Sequence, residues 1–154
     1  MLRVILIFAP IILIDQLTKY FVRNFIALGG QIDVLPFLNF VNVKNTGIAF
    51  GMFQGFNQLL SVVSAIVLAV IAFWFIFEAR NERKLFSVSF ALVLAGGVSN
   101  YFDRAYFGFV TDFADFHFFG YHWYSFNIAD ACICVGAILL TYYYLFIKKP
   151  AVKA

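Results

Sequence analysis

From Asn45 to Phe77 the chain carries no Asp, Glu, Lys or Arg, and from Gln58 onward this run is almost wholly apolar. At 1.5 Å per residue, about 20 such residues cross the ~30 Å hydrocarbon layer of a bilayer as one helix. Three other stretches share this character, from Val4 to Val22, Leu85 to Phe102 and Ile128 to Ile147. Only 12% of the 154 residues are charged, against roughly 25% in soluble domains, while 64% are hydrophobic. Eleven Lys/Arg and eight Asp/Glu cannot cover that much apolar surface. The same hydrophobicity excludes disorder. The net charge of +3 does not point to nucleic acid, because the basic residues are single or in short clusters rather than on one polar face. The predicted fold is an all-α integral membrane protein, a single domain over residues 1–154 with transmembrane helices at about 4–22, 58–77, 85–102 and 128–147.

The N-terminal MLRVILIFAPIILIDQLTKYF has the basic start and apolar core of a cleavable leader, but no small-x-small site follows. It is expected to remain as the first transmembrane helix. Arg3, Arg80, Arg83, Lys84, Lys148, Lys149 and Lys153 fall at one set of helix ends, against Arg23, Lys44 and Arg104 at the other. Basic residues gather on the cytoplasmic side, so both termini are expected there. The two long connections, 24–57 and 103–127, then face outward. The first contains a β-prone run near Leu38 to Val43 between glycines, which predicts a small sheet or hairpin on the membrane. The second is an outer loop crowded with Phe, Tyr and Trp, residues that favour the bilayer interface.

Ionisable groups in membrane helices are costly, about 2.5 to 3.5 kcal/mol at the centre, so each needs a partner or a purpose. Asp15 and Lys19 are i and i+4 on the first helix, the spacing of an ion pair. Asp15 lies roughly 17 Å along that helix, in the outer half of the bilayer. Asn100, Asp103 and Arg104 share a face near the outer end of the third helix, and Asn127 and Asp130 begin the fourth. Asn127 also suits an N-cap, and Asp130 the first-turn position favoured by the helix dipole. Asp112, in the aromatic connection, has no such structural reason. These groups are predicted to meet in one outward-opening polar pocket, with Asp112 and Asp130 at its mouth. Two close carboxylates cannot both ionise; one keeps a proton to polarise a carbonyl while the other takes a proton from water. His117 and His122 lack zinc-protease spacing and are expected to be interfacial. Cys132 and Cys134, two apart in an apolar helix, are expected to be buried structural thiols.

Four motifs in order, DQLTK at 15–19, NTGIAF at 45–50, NYFDRAYFGFVTDF at 100–113 and FNIAD at 126–130, resemble those of the lipoprotein signal peptidase (signal peptidase II) family. The resemblance covers nearly the whole chain. It implies that Asp112 and Asp130 are a catalytic aspartate pair. It further implies that Asn45, Gly47, Asn100, Asp103, Arg104 and Asn127 line the site or hold the substrate, with Asp15 and Lys19 in support. The implied substrate is a diacylglyceryl-modified bacterial prolipoprotein, cut immediately before its lipidated cysteine. The implied setting is the bacterial inner membrane, among its lipids, with the site facing outward. Globomycin-type inhibitors are expected to bind, with no metal or organic cofactor and no nucleic acid. Ser99 stands where the family commonly has Gly before the motif asparagine, and Tyr124 and Ser125 replace a common Pro-containing approach to the last motif. From the residues alone, a small transporter or proton-conducting subunit using the intramembrane charges is the main alternative, and a non-catalytic assembly subunit the third.

Overall fold

In the computed structural model the apolar runs form four helices: α1 (Leu2–Phe25), α2 (Asn57–Glu78), α3 (Lys84–Phe107) and α4 (Ile128–Tyr142), the last continued by a π-helical turn over Tyr143–Ile147. Residues 2–48, 52–78 and 84–148 are described, with side chains from Val4 onward. Ala49 and Phe50 of NTGIAF lie outside them, as do Arg80, Arg83, Lys149 and Lys153 of the charge asymmetry and the Arg3 side chain. All four helices are long and apolar enough to cross a membrane. The third runs five residues past the expected Phe102, and it carries Asp103 and Arg104 as the shared helical face with Asn100 requires.

α3 is the central helix, packed against each of the other three. Its buried residues, from Phe86 and Phe90 through Gly96 to Asn100 and Asp103, recur at helical spacing. Small residues let α4 come close: a β-carbon on Gly96 would overlap the Ala129 carbonyl oxygen, and one on Gly136 would stand 2.8 Å from Ser89 O. Such contacts are how helices associate in lipid, where no hydrophobic force separates helix from solvent. An aromatic cluster of Phe75, Phe86, Phe90 and Tyr143 fills one end of the bundle. At the other end Val22, Ile26, Phe113 and Ala114 pack under a sheet.

That sheet is larger than expected and draws on both long connections. Its strands β1 (Gln31–Leu35), β2 (Leu38–Asn45), β3 (Val110–Phe118) and β4 (Tyr121–His122) lie in sequence order, and all pairs are antiparallel. The aromatic connection is therefore not a loop: its first half is the nine-residue β3, paired to β2 with Val43 opposite Asp112. Asp33 and Asp115 sit on β1 and β3. Phe119 and Gly120 turn β3 into β4, both with positive φ, the pattern of a tight hairpin. Backbone bonds from Phe113 N and Ala114 N to Phe126 O, 3.0 and 2.8 Å, then tie β3 to the segment that enters α4.

Gly96→Val is expected to push α3 off α4 and lower stability by about 1 to 3 kcal/mol, the usual cost of overpacking, read as an earlier unfolding midpoint of the purified protein in detergent.

Candidate active site

Three elements meet where α4 begins. Asn127 is the N-cap of α4: its Oδ1 accepts from Asp130 N at 2.9 Å, and Asp130 Oδ2 accepts from Asn127 N at 3.2 Å, a reciprocal capping box. With Oδ1 occupied, the Asn127 amide nitrogen turns to β3 and donates to Asp112 Oδ1 at 2.7 Å. The other Asp112 oxygen accepts from Asn45 Nδ2 at 2.9 Å. Asn45 is oriented in the same way, its Oδ1 taking the Gly47 N–H at 2.9 Å. Asn100, from α3, donates to Asp130 Oδ1 at 2.7 Å while its own Oδ1 accepts from Lys19 Nζ at 2.8 Å. Each of three asparagines thus meets an obligate donor with its oxygen and so presents its NH2 group to a carboxylate.

Behind this layer lies a buried ion cluster. Lys19, fully buried, is 2.7 Å from Asp15 and 3.0 Å from Asp103, both also fully buried. Arg23 stands 3.6 Å from Asp103. Asp15 Oδ1 accepts from Ala129 N in the first turn of α4 at 3.0 Å, and Oδ2 from the Ser99 hydroxyl at 2.7 Å. Gln16 donates to Ser99 Oγ at 2.9 Å and to Asp103 Oδ1 at 3.0 Å, linking the two acids. The predicted Asp15/Lys19 pair is present but is part of this larger set. Sequence reasoning did not single out Gln16, although it lies inside DQLTK one helical turn before Lys19. The departure at Ser99 acquires a role here, because glycine would offer no hydroxyl to Asp15.

Asp112 and Asp130 line one cavity of about 650 Å³, together with Asn45 and Arg104. Val43, Ile48, Val110, Ile133 and Cys134 make much of its remaining wall apolar. Arg104 parts from Asp103, one residue away on α3: its Nη2 donates to Gly47 O at 2.8 Å, and its buried Nε has no hydrogen-bond partner among the described residues. All ten predicted site residues therefore join one connected assembly. Desolvation, reinforced by the charge of Asp130, pushes the Asp112 carboxyl up to about 7 against the Asn45 and Asn127 hydrogen bonds and the charge of Lys19.

The cysteine expectation does not hold. Cys132 is half-buried and Cys134 exposed, both unpaired, because only one side of α4 packs on the bundle. His117 and His122 face each other across β3 and β4 with ring centroids 5.2 Å apart, bonded to Asn39 at 3.2 Å and Asp115 at 2.8 Å.

The sequence model of the family described as Signal peptidase (SPase) II matches residues 7–146. The chain belongs to that family. It is 39% identical to the lipoprotein signal peptidase of Alteromonas mediterranea over 90% of this chain and 78% of that protein. It is equally identical to the lipoprotein signal peptidase of Thermodesulfovibrio yellowstonii, over 86% of this chain and 87% of the relative. A solved structure described as a bacterial membrane enzyme, obtained by the in meso method at 2.3 Å resolution, superposes with a TM-score of 0.85. That chain is 33% identical, and the match covers 98% of this chain and 94% of it. Membership of the signal peptidase II family makes the protein a multi-pass membrane protease, which removes the transporter and assembly-subunit alternatives.

Lys19→Met is expected to leave Asp15 and Asp103 facing each other without their shared cation. The loss of stability should be about 3 to 5 kcal/mol, measured by unfolding in detergent, and partly recovered when Asp15→Asn and Asp103→Asn are added.

Proposed function

We propose that the protein is an aspartyl endopeptidase of the bacterial inner membrane. It removes the signal peptide from diacylglyceryl-modified prolipoproteins by cutting immediately before the lipidated cysteine, with Asp112 and Asp130 as the catalytic pair. The observation that carries this reading is the shared cavity. Two carboxylates from different elements open onto it, each held by side-chain amides, and neither has an ion-pair partner among the described residues.

Such a pair holds one proton between its members. Asp112 keeps it near neutral pH, because desolvation and the facing charge both favour its neutral form. Asp130, in the first turn of α4 with its oxygens on Asn100 and Asn127, serves as the proton acceptor of the pair. Asp130 draws a proton from the attacking water as the new C–O bond forms, and the Asp112 proton goes to the carbonyl oxygen of the scissile amide. Collapse of the tetrahedral species expels the amine, which takes up a proton from the pair. The Nε of Arg104, which has no hydrogen-bond partner among the described residues, is a donor for a substrate carbonyl. Asn45, Gly47, Asn100 and Asn127 keep the pair and the bound backbone in register. Asp15, Lys19 and Asp103 act one layer behind, through Asn100 and the start of α4.

The apolar wall suits a substrate whose acyl chains and signal helix stay in hydrocarbon while the scissile bond reaches the carboxylates. Residues 1–154 act as one domain, with both termini cytoplasmic and the sheet and cavity on the outer side. Globomycin-type inhibitors occupy the same cavity. The basic connections assign this orientation by the positive-inside rule.

Asp112→Asn and Asp130→Asn should each reduce cleavage of a lipid-modified precursor by about a thousandfold or more, with the protein still inserted in the membrane; full activity in either purified variant defeats the assignment. A precursor lacking the diacylglyceryl group should remain uncut. Because the neutral form of Asp112 is the active one, kcat/KM should fall as pH rises through about 7. The expected slope is close to tenfold per pH unit on the alkaline side, followed in a cleavage assay from pH 5 to 9.

A further inference from the structure

Successive residues of β2 point to opposite faces, so the strand separates two pockets. Val43 and Asn45 line the cavity that holds the carboxylates, whereas Asn42 and Lys44 line a second pocket of about 460 Å³ at the outer end of α1. Its other walls include Arg23, Asn24, Phe25 and Leu28. Among the described residues no Asp or Glu lines it, although Arg23 Nη1 also stands 3.6 Å from the buried Asp103. Only three basic residues fall at this end of the helices, and Arg104 belongs to the carboxylate cavity. The other two, Arg23 and Lys44, converge here.

Both cations are held against aromatic rings. The Arg23 guanidinium lies 4.1 Å from the Phe107 ring centroid and donates to Thr111 Oγ1 at 3.0 Å. Lys44 Nζ is 4.7 Å from the Phe109 ring centroid and has no acidic partner within 4.0 Å among the described residues. Asn42 Nδ2 donates to Ile26 O at 2.8 Å, so a carbonyl just beyond α1 is already engaged and does not compete for either cation. From the mouth of this pocket an exposed ridge of Phe25, Phe21, Leu17 and Leu13 descends one face of α1 at four-residue spacing. A bilayer places a headgroup phosphate and an acyl chain in this relation.

We propose that the pocket between α1 and the outer face of β2 binds the phosphate headgroup of an anionic glycerophospholipid, with Lys44 and Arg23 on the phosphate and an acyl chain along the α1 ridge. Charge complementarity selects the anionic headgroup, and the ridge selects a lipid over a soluble phosphate. The proposal needs α1 to span a membrane but does not depend on which residues cut the substrate.

The test uses the full chain in nanodiscs of mixed phosphatidylglycerol and phosphatidylcholine, with lipid retained on the protein read by native mass spectrometry. Phosphatidylglycerol should be retained over phosphatidylcholine. Lys44→Gln should lower that retention about fivefold, the effect of one basic residue at a charged membrane surface, and Lys44→Arg should keep it. Arg23→Gln should act in the same direction. Should that variant not fold, because Arg23 also meets the buried acids, the exposed Lys44 carries the test alone. Retention unchanged in Lys44→Gln, or equal for the two lipids, overturns the proposal. Displacement of the lipid by millimolar inorganic phosphate also overturns it, because the site would then be one for a free anion.

Discussion

The Lys19 ammonium is the interaction on which the rest of the structure depends. It is fully buried, at a depth where an isolated charge would cost several kcal/mol, yet it lies within 3.0 Å of Asp15, Asp103 and Asn100. With Arg23 beside Asp103, two positive and two negative groups balance. A balanced cluster of this kind contributes little net stability over an apolar core, but loss of one member leaves an uncompensated charge. Its value is therefore specificity of arrangement. It draws α1 and α3 together at one level, and the Asp15 bond to Ala129 N adds the start of α4.

The orientation of the carboxylates follows from that arrangement. An asparagine side chain can present either its oxygen or its NH2 group to a neighbour, and only a fixed partner decides which. Lys19 can only donate, so Asn100 must turn its oxygen to it and its nitrogen to Asp130. The same logic, with backbone N–H groups in place of the ammonium, sets Asn45 through Gly47 and Asn127 through Asp130. Aligned donors of this kind would favour ionisation of Asp112, yet its carboxyl is pushed up to about 7. Burial and the facing carboxylate outweigh the two amides, and that balance makes the pair suited to sharing a proton.

The four helices were legible because a bilayer imposes a length and a composition that no other environment rewards. The polar residues were legible for a related reason: in a chain so poor in charge, each intramembrane Asp or Lys stands out. What could not be read was strand β3. Its aromatic density resembles an interfacial loop, and its pairing with β2 joins residues about 70 positions apart, a relation that local pattern does not encode. The helical continuation to Phe107 was hidden by the charges of Asp103 and Arg104, which look like a helix end until their buried partners are known. Gln16 escaped notice because it carries no charge, and Ser99 stood out only as a departure from the family pattern; the importance of both lies in bonds to acids on other helices.

β3 also explains why the carboxylates and the ion cluster can be neighbours without merging. Thr111 and Asp112 are adjacent and point to opposite sides of the strand. The Thr111 hydroxyl accepts from Arg23 and its N–H donates to Asp103 Oδ2 at 3.3 Å, while Asp112 opens onto the cavity. A slip of one residue would turn the carboxylate toward the buried acids and the hydroxyl toward the cavity. The register shift in β2 between Phe40 and Val43 leaves room for such an error. The hairpin turn at Phe119 and Gly120 is too far along the strand to prevent it. The bonds of Thr111 to α1 and α3 hold the register together with those of Phe113 and Ala114 to Phe126. The placement of Asp112 is thus a consequence of helix packing as well as of strand pairing, because Arg23 from α1 and Asp103 from α3 both reach the residue beside it.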